Sequence, residues 1–187
     1  MVTELQEKLI SKAIRYLKKL EGTPRKNDCK NKPPTKDGEP FWIENIKPPS
    51  IEYIKKKGAV CVGLGNLVRR YMGLEVPGNI TGKKKYFWPG GTDIWFKYLK
   101  KEKRLEKIDF EKVYPKGTLL IQNFNPKDGG HIAITINSSK KGLLYSKIIH
   151  NVHDKGLFGT YIHKVIEYPN YKRHTHVCLP KNWLLKN

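Results

Sequence analysis

One change of period constrains this chain more than any other feature. Ahead of Tyr114-Pro115-Lys116-Gly117 the apolar residues recur at helical spacing, and behind it they alternate. Residues 3–20 carry Leu5, Leu9, Ile10, Ala13, Ile14, Leu17 and Leu20 on one stripe, with Thr3 and Gln6 at capping-box spacing, which predicts an amphipathic helix. Residues 61–72 resume that spacing with Leu64, Leu67, Val68, Tyr71 and Met72. "GTDIWFKYLKK" from Gly91 predicts a further helix, with Thr92 as N-cap and Ile94, Trp95, Tyr98 and Leu99 inward. After the turn, "TLLIQNF" (118–124), "HIAITI" (131–136) and "LLYSKIIH" (143–150) read as strands joined by "NPKDGG" and "NSSKKG". An extended "THVCL" (175–179) and a closing turn "PKNWLL" follow. Helices first and an antiparallel meander second is an α+β pattern, N-terminal helices packed on a central antiparallel sheet. At 187 residues the expectation is a single domain spanning 1–187.

Between the first two helices the character changes. Residues 22–50 hold six of the twelve prolines, many charges and little apolar surface outside "PFWI" at 40–43. An irregular Pro/Lys-rich insertion of that length is usually a functional edge, a lid or disorder. Phe41-Trp42 is expected to pin it to the body.

Cysteine and charge narrow the class. Cys29, Cys61 and Cys178 are odd in number and widely spaced, which argues against a disulfide framework and for a reducing compartment or reactive thiols. The N-terminus carries acids and no long apolar run, so no signal peptide and no transmembrane segment are expected. A cytoplasmic location is the expectation. The net charge of +20 comes from 37 basic residues against 17 acidic ones, and only six of the 37 are arginine. Lysine attracts polyanions without the bidentate geometry that reads them. Non-specific binding to nucleic acid, an acidic membrane or an anionic wall polymer is therefore expected. A Lys-rich composition inherited from an AT-rich genome is the competing explanation.

The chemistry centres on Cys61, at a predicted helix start. Helix N-termini favour a thiolate, and their free N–H groups can hold an oxyanion. Gly63 and Gly65 weaken that first turn by about 1 kcal/mol each relative to alanine, so another backbone or a ligand is expected to approach closely there. Many helix-start cysteines are simply buried and inert. A nucleophile needs a histidine and a third group to orient it. His131 opens a strand directly after Gly129-Gly130, with Ala133 and Thr135 on its face and Ile132, Ile134 and Ile136 on the other. If the next turn centres on Lys140-Lys141, His131 stands directly opposite His150, with Cβ atoms about 5 Å apart. A slip of one residue would put Ile149 or Asn151 there instead.

His174, His176 and Cys178 alternate like a metal half-site, with Cys29 or His163 as a further ligand, but paired short ligand spacings are absent. No metal is expected. "GGT" and "GLGN" lack the spacing of a phosphate loop, and no cofactor is expected.

Taken in order, "YLKKLEGTP", "PFW", "VCVGLGNLVRRYMGLEVPG", "YPKGTLLI", "GGHIAI" and "IIH" resemble the NlpC-like cysteine peptidase superfamily, the compact papain-like fold. In that family a D-C-S-G-L helix start follows "GTPYxWGG", and "PGDLVFF", "HVGIYIG" and "IHA" come after it. The likeness covers about residues 10–151. "GGTDIWFKYL" and "C-L-P-x-N-W-L" look like a subgroup known from large DNA viruses and some eukaryotes, which implies a virion-associated location as the alternative to a cytoplasmic one. The resemblance implies Cys61 as nucleophile, His131 as general base and His150 as the group orienting it. Cysteine before histidine is the non-permuted order and differs from the lipid-acyltransferase branch. The family's Asp and Ser flanking the nucleophile, which contact wall peptide, are Val60 and Val62 here, and its "PYxW" tyrosine is replaced by Phe41 or Trp42. Trp42, Phe41 and Val62 are expected beside the substrate cleft.

The expected activity is a cysteine hydrolase, peptidase or amidase, that cleaves an amide bond through a covalent acyl-enzyme, with a peptide or amide substrate. The alternatives are a basic polyanion-binding protein with an inactive site, or a relative that transfers lipid acyl groups.

Overall fold

The computed structural model describes residues 3–26, 40–44, 47–77, 91–125, 129–154 and 157–185. Cys29, most of the 22–50 insertion and the centre of the "NPKDGG" turn lie outside them.

Helix α1 (Glu4–Lys19) begins with the expected capping box: Thr3 Oγ1 accepts from Gln6 N–H, and Gln6 Oε1 accepts from Thr3 N–H. Ile10, Ala13, Ile14, Leu17 and Leu20 face the core, whereas Leu5, placed on the same stripe by sequence, is 67% exposed. Helix α2 (Ile51–Lys57), capped by Ser50, was hidden by its single buried apolar residue, Ile54. Helix α3 (Cys61–Tyr71) starts at the expected cysteine. Helix α4 (Thr92–Lys101) has Gly91 as N-cap, and Thr92 is its first helical residue. The Gly91 carbonyl accepts from Trp95 N–H at 2.9 Å, which moves the cap one residue earlier than expected.

Gly117 marks the change of period. Its φ of +85° is open to glycine at little cost, and its N–H reaches Thr135 O at 2.7 Å. From there the chain builds a sheet in the order β1-β6-β2-β3-β4-β5. The strands are β1 (Glu106–Lys107), β2 (Leu119–Asn125), β3 (Gly129–Thr135), β4 (Lys147–Asp154), β5 (Leu157–Lys164) and β6 (His176–Cys178). All neighbours pair antiparallel. Helix α5 (Pro180–Trp183) closes the order of elements. Among the described residues the protein is thus α+β, with four α-helices ahead of a six-stranded antiparallel sheet and one short α-helix after it.

Both faces of the sheet are covered. Ile132, Ile134 and Ile149 pack with α1, α3 and α4 residues, whereas Ala133, Ile148, Leu120 and Val177 pack with Tyr114, Leu143 and Val165 on the other side. Each large aliphatic side chain buried in this way stabilises the fold by about 1.5–3 kcal/mol.

Two strand expectations change. Leu143–Tyr145 is a 3-10 turn, so β4 starts only at Lys147. The link between β3 and β4 is therefore not a tight turn at Lys140-Lys141. Ile134 pairs with Ile149 and Thr135 with Ile148, a register two residues from the expected one. A shift of two preserves the face, and His131 and His150 remain within reach of one another, with His131 Nε2 2.8 Å from His150 Nδ1.

Candidate active site

Cys61 is the first residue of α3. Its N-cap, Val60, has no side-chain acceptor to claim the N–H groups of the first turn. The segments ahead of it are fixed by backbone contacts. Ala59 N–H donates to Pro24 O at 2.9 Å, Lys26 N–H donates to Ala59 O at 3.1 Å, and Val60 N–H donates to Pro40 O at 3.4 Å. Asn66 Nδ2 donates to Phe41 O at 2.7 Å, and Trp42 Nε1 donates to Gly58 O at 3.1 Å. The described ends of the 22–50 insertion therefore flank the cysteine.

The close approach expected at the two glycines is made by the protein itself. A Cβ on Gly63 would lie 2.7 Å from Pro40 O, and one on Gly65 would lie 3.2 Å from the Trp95 ring. Trp42 and Val62 are each 2% exposed. They are core residues rather than cleft walls, and only Phe41 of the three keeps accessible surface. Trp42 has its indole N–H spent on Gly58, so it pins the insertion as expected.

The Cys61 side chain is 6% exposed, and its Sγ lies 3.8 Å from Gly130 O. This contact brings the start of α3 to the start of β3, one residue from His131. No hydrogen bond joins Cys61 to His131 among the described residues. On its other side, His131 Nε2 lies 2.8 Å from His150 Nδ1. The only ring nitrogen left to His131 for the cysteine is Nδ1.

The histidine pair extends to a third ring. His150 is 0% exposed, and its Nε2 lies 2.6 Å from His163 Nε2. In the β4–β5 ladder His163 stands opposite Ile148, which puts it on the face of His150. Tyr168 stands among these rings, 4.6 Å from His150 and 84° to it, and nearly parallel to His163 at 6.0 Å. His174 packs 5.4 Å from His131. Its Nδ1 lies 3.0 Å from Tyr171 O, an acceptor, so Nδ1 carries the hydrogen and Nε2 the lone pair. That Nε2 is buried without a hydrogen-bond partner among the described residues.

Burial keeps all four rings neutral at neutral pH. It holds His131 well below the usual imidazole range, helped by His150, His174, Arg25 and Arg173. It does the same to His150, helped by His163, His174 and Arg25. Burial lowers His163 while the nearby Glu167 opposes it, and it pushes His174 down to about 4. A neutral imidazole is the form a general base requires.

The second sequence cluster does not converge. His174 precedes β6 and turns toward His131, whereas His176 packs edge-on against Phe96 of α4 at 5.0 Å. Cys178 is buried in the helix-side core, where burial pushes its thiol up to about 12. No group of three or more His, Cys, Asp or Glu side chains among the described residues is arranged to hold a metal ion. Sequence reasoning missed the place of His163, because β5 contains Gly159 and little alternation. It also missed Arg25, whose Nη1 donates to Asn151 O at 3.0 Å.

Comparison of the chain with protein-family models, curated proteins and solved structures finds no match.

Proposed function

We propose that the protein is a cysteine hydrolase of the compact papain-like kind, acting on an amide bond. One observation carries the reading. A cysteine at a helix start touches the carbonyl next to a histidine whose far nitrogen is held by a second histidine.

In the proposed reaction the Cys61 side chain rotates from Gly130 O toward His131 and gives its proton to Nδ1. The sulfur attacks the substrate carbonyl carbon, and N–H groups at the start of α3 hold the oxyanion. His131 Nδ1 then protonates the leaving amine as the C–N bond breaks, leaving a thioester. Water adds to the thioester, its proton passes to Nδ1, and the sulfur leaves with that proton as the carboxylic acid departs. The neutral state of His131 leaves Nδ1 open to take the proton in each half, and its lowered proton affinity then favours giving that proton up.

The test is acetyl transfer from p-nitrophenyl acetate, with the intact mass read after rapid quenching. The expected result is one acetyl group on the wild type, none on Cys61→Ser and little on His131→Ala, with His150→Ala losing less than either. Wild-type acetylation by His131→Ala would end this reading.

The net charge of +20 supports an accompanying role in binding polyanions. It is the second reading if the thiol is inert.

A further inference from the structure

We infer that His163 is a positioning residue: through His150 it sets which nitrogen of His131 carries the hydrogen, and so whether His131 can act as a base. The inference rests on the hydrolase reading for its purpose and on hydrogen-bond bookkeeping for its logic.

A neutral imidazole has one donor and one acceptor nitrogen. Three neutral rings joined as His131 Nε2 to His150 Nδ1 and His150 Nε2 to His163 Nε2 therefore have two consistent arrangements. In the first, His131 Nε2–H donates to His150, and His150 Nε2–H donates to His163, which keeps its own hydrogen on Nδ1. His131 then has its lone pair on Nδ1, the base position. In the second, every hydrogen lies at the other end of its bond. His163 Nε2–H donates to His150, His150 Nδ1–H donates to His131, and His131 Nδ1 carries a hydrogen and cannot take one from a thiol.

The third member of a triad usually accepts a hydrogen bond and cannot reverse. His150 can do either, so it cannot choose the arrangement alone. His163 can once it is charged, and as the half-exposed end of the chain it is the ring most open to a proton. When His163 takes up a second proton, its Nε2 must donate, and the second arrangement is forced throughout. Protonation at the surface end thus converts His131 from base to donor without placing a charge on it.

The groups facing this chain set where the change falls. At His163 they are His150 from β4, Tyr168, and Glu167, whose carboxylate also accepts from Lys164 N–H at 2.7 Å and pairs with Lys164 Nζ at 3.5 Å. At the inner rings they are His174, Arg25 and Arg173. Burial and Arg25 oppose a proton on both His131 and His150, Arg173 adds to this at His131, and at the less enclosed His163 Glu167 works against the burial. The added proton is therefore held at the outer ring.

The experiment uses the full chain labelled with 15N at histidine. Nitrogen-detected spectra report which nitrogen of His131 bears hydrogen as pH falls from 8 toward 5, and p-nitrophenyl acetate acylation of Cys61 is followed over the same range. In the wild type, His131 Nδ1 is expected to be unprotonated at neutral pH and to gain hydrogen in step with protonation of His163, with acylation falling together with it. His163→Gln cannot ionise and should remove that acid limb, whatever its acylation rate at neutral pH. Glu167→Gln should move the limb to lower pH. His163→Leu should mix the His131 tautomers and slow acylation about tenfold, a fraction of the roughly 100-fold or more that general-base catalysis supplies.

A His131 tautomer that ignores both pH and His163 substitution, or an acid limb unchanged in His163→Gln and Glu167→Gln, would overturn the inference while leaving the hydrolase reading intact. A tautomer that follows His163 in a protein whose Cys61 is never acylated supports the relay and removes the hydrolase reading.

Discussion

His174 shows how a single side chain shapes stability here. It donates to Tyr171 O and is otherwise enclosed, so burial holds its proton affinity down to about 4 against an ordinary value near 6.5. As pH falls below about 6.5 the unfolded chain takes up a proton that the folded chain refuses, so stability declines until pH reaches about 4 and then levels. The depression corresponds to something on the order of 3 kcal/mol. His131 and His150 add in the same direction. Urea midpoints measured at pH 7.5 and pH 4.5 should fall sharply for the wild type and less for His174→Phe, which lacks the titrating group. An equal fall in both would show that His174 is protonated in the folded protein.

At the scale of elements, the helix start at Cys61 is built by two glycines whose cost in helix propensity is repaid by contact. Gly63→Ala gains about 1 kcal/mol of propensity but sets a methyl 2.7 Å from a backbone oxygen of Pro40, which is held by Val60 N–H. Overpacking of this kind costs typically about 1–3 kcal/mol, so the clash should win. Gly65→Ala meets only the Trp95 ring at 3.2 Å. Thermal melts should place Gly63→Ala below Gly65→Ala, and the reverse order would mean that Pro40 yields.

The same scale explains what the sequence could and could not show. Helices α1, α3 and α4 were legible because each has a continuous apolar stripe. Strand β3 was legible from its alternation of isoleucine with small or polar residues. Helix α2 has one buried apolar residue, and β5 has a glycine where its alternation should be, so neither could be read locally. The His131–His150 contact was expected for a partly mistaken reason. The linking segment holds a 3-10 turn that no turn signal announced, and the register moved by two, an even shift that the face of a strand does not register. His163 and His174 entered the site from β5 and from the chain ahead of β6. Their placement depends on long-range pairing that a local pattern does not carry.

For the whole molecule, the charge of +20 acts over distances that no single contact does. Among the described residues no helix is long and apolar enough to cross a membrane. With Lys outnumbering Arg, attraction to a polyanion should depend on phosphate or carboxylate density rather than on sequence. Binding to a mixed-sequence DNA duplex is expected to weaken at least about tenfold between 50 and 200 mM salt, and Cys61→Ser should leave it unchanged. Salt-independent binding would point to a specific site instead of the overall charge.

The central claim, that Cys61 and His131 work as a pair, is tested most directly by locating the acetyl group after brief exposure to p-nitrophenyl acetate. Peptide masses distinguish Cys61 from both Cys29 and Cys178, and Cys178, whose buried thiol is pushed up to about 12, serves as the internal control. The account predicts label on Cys61 alone in the wild type and its near-complete loss in His131→Ala. Label shared between the cysteines, or undiminished on Cys61 without His131, would contradict it.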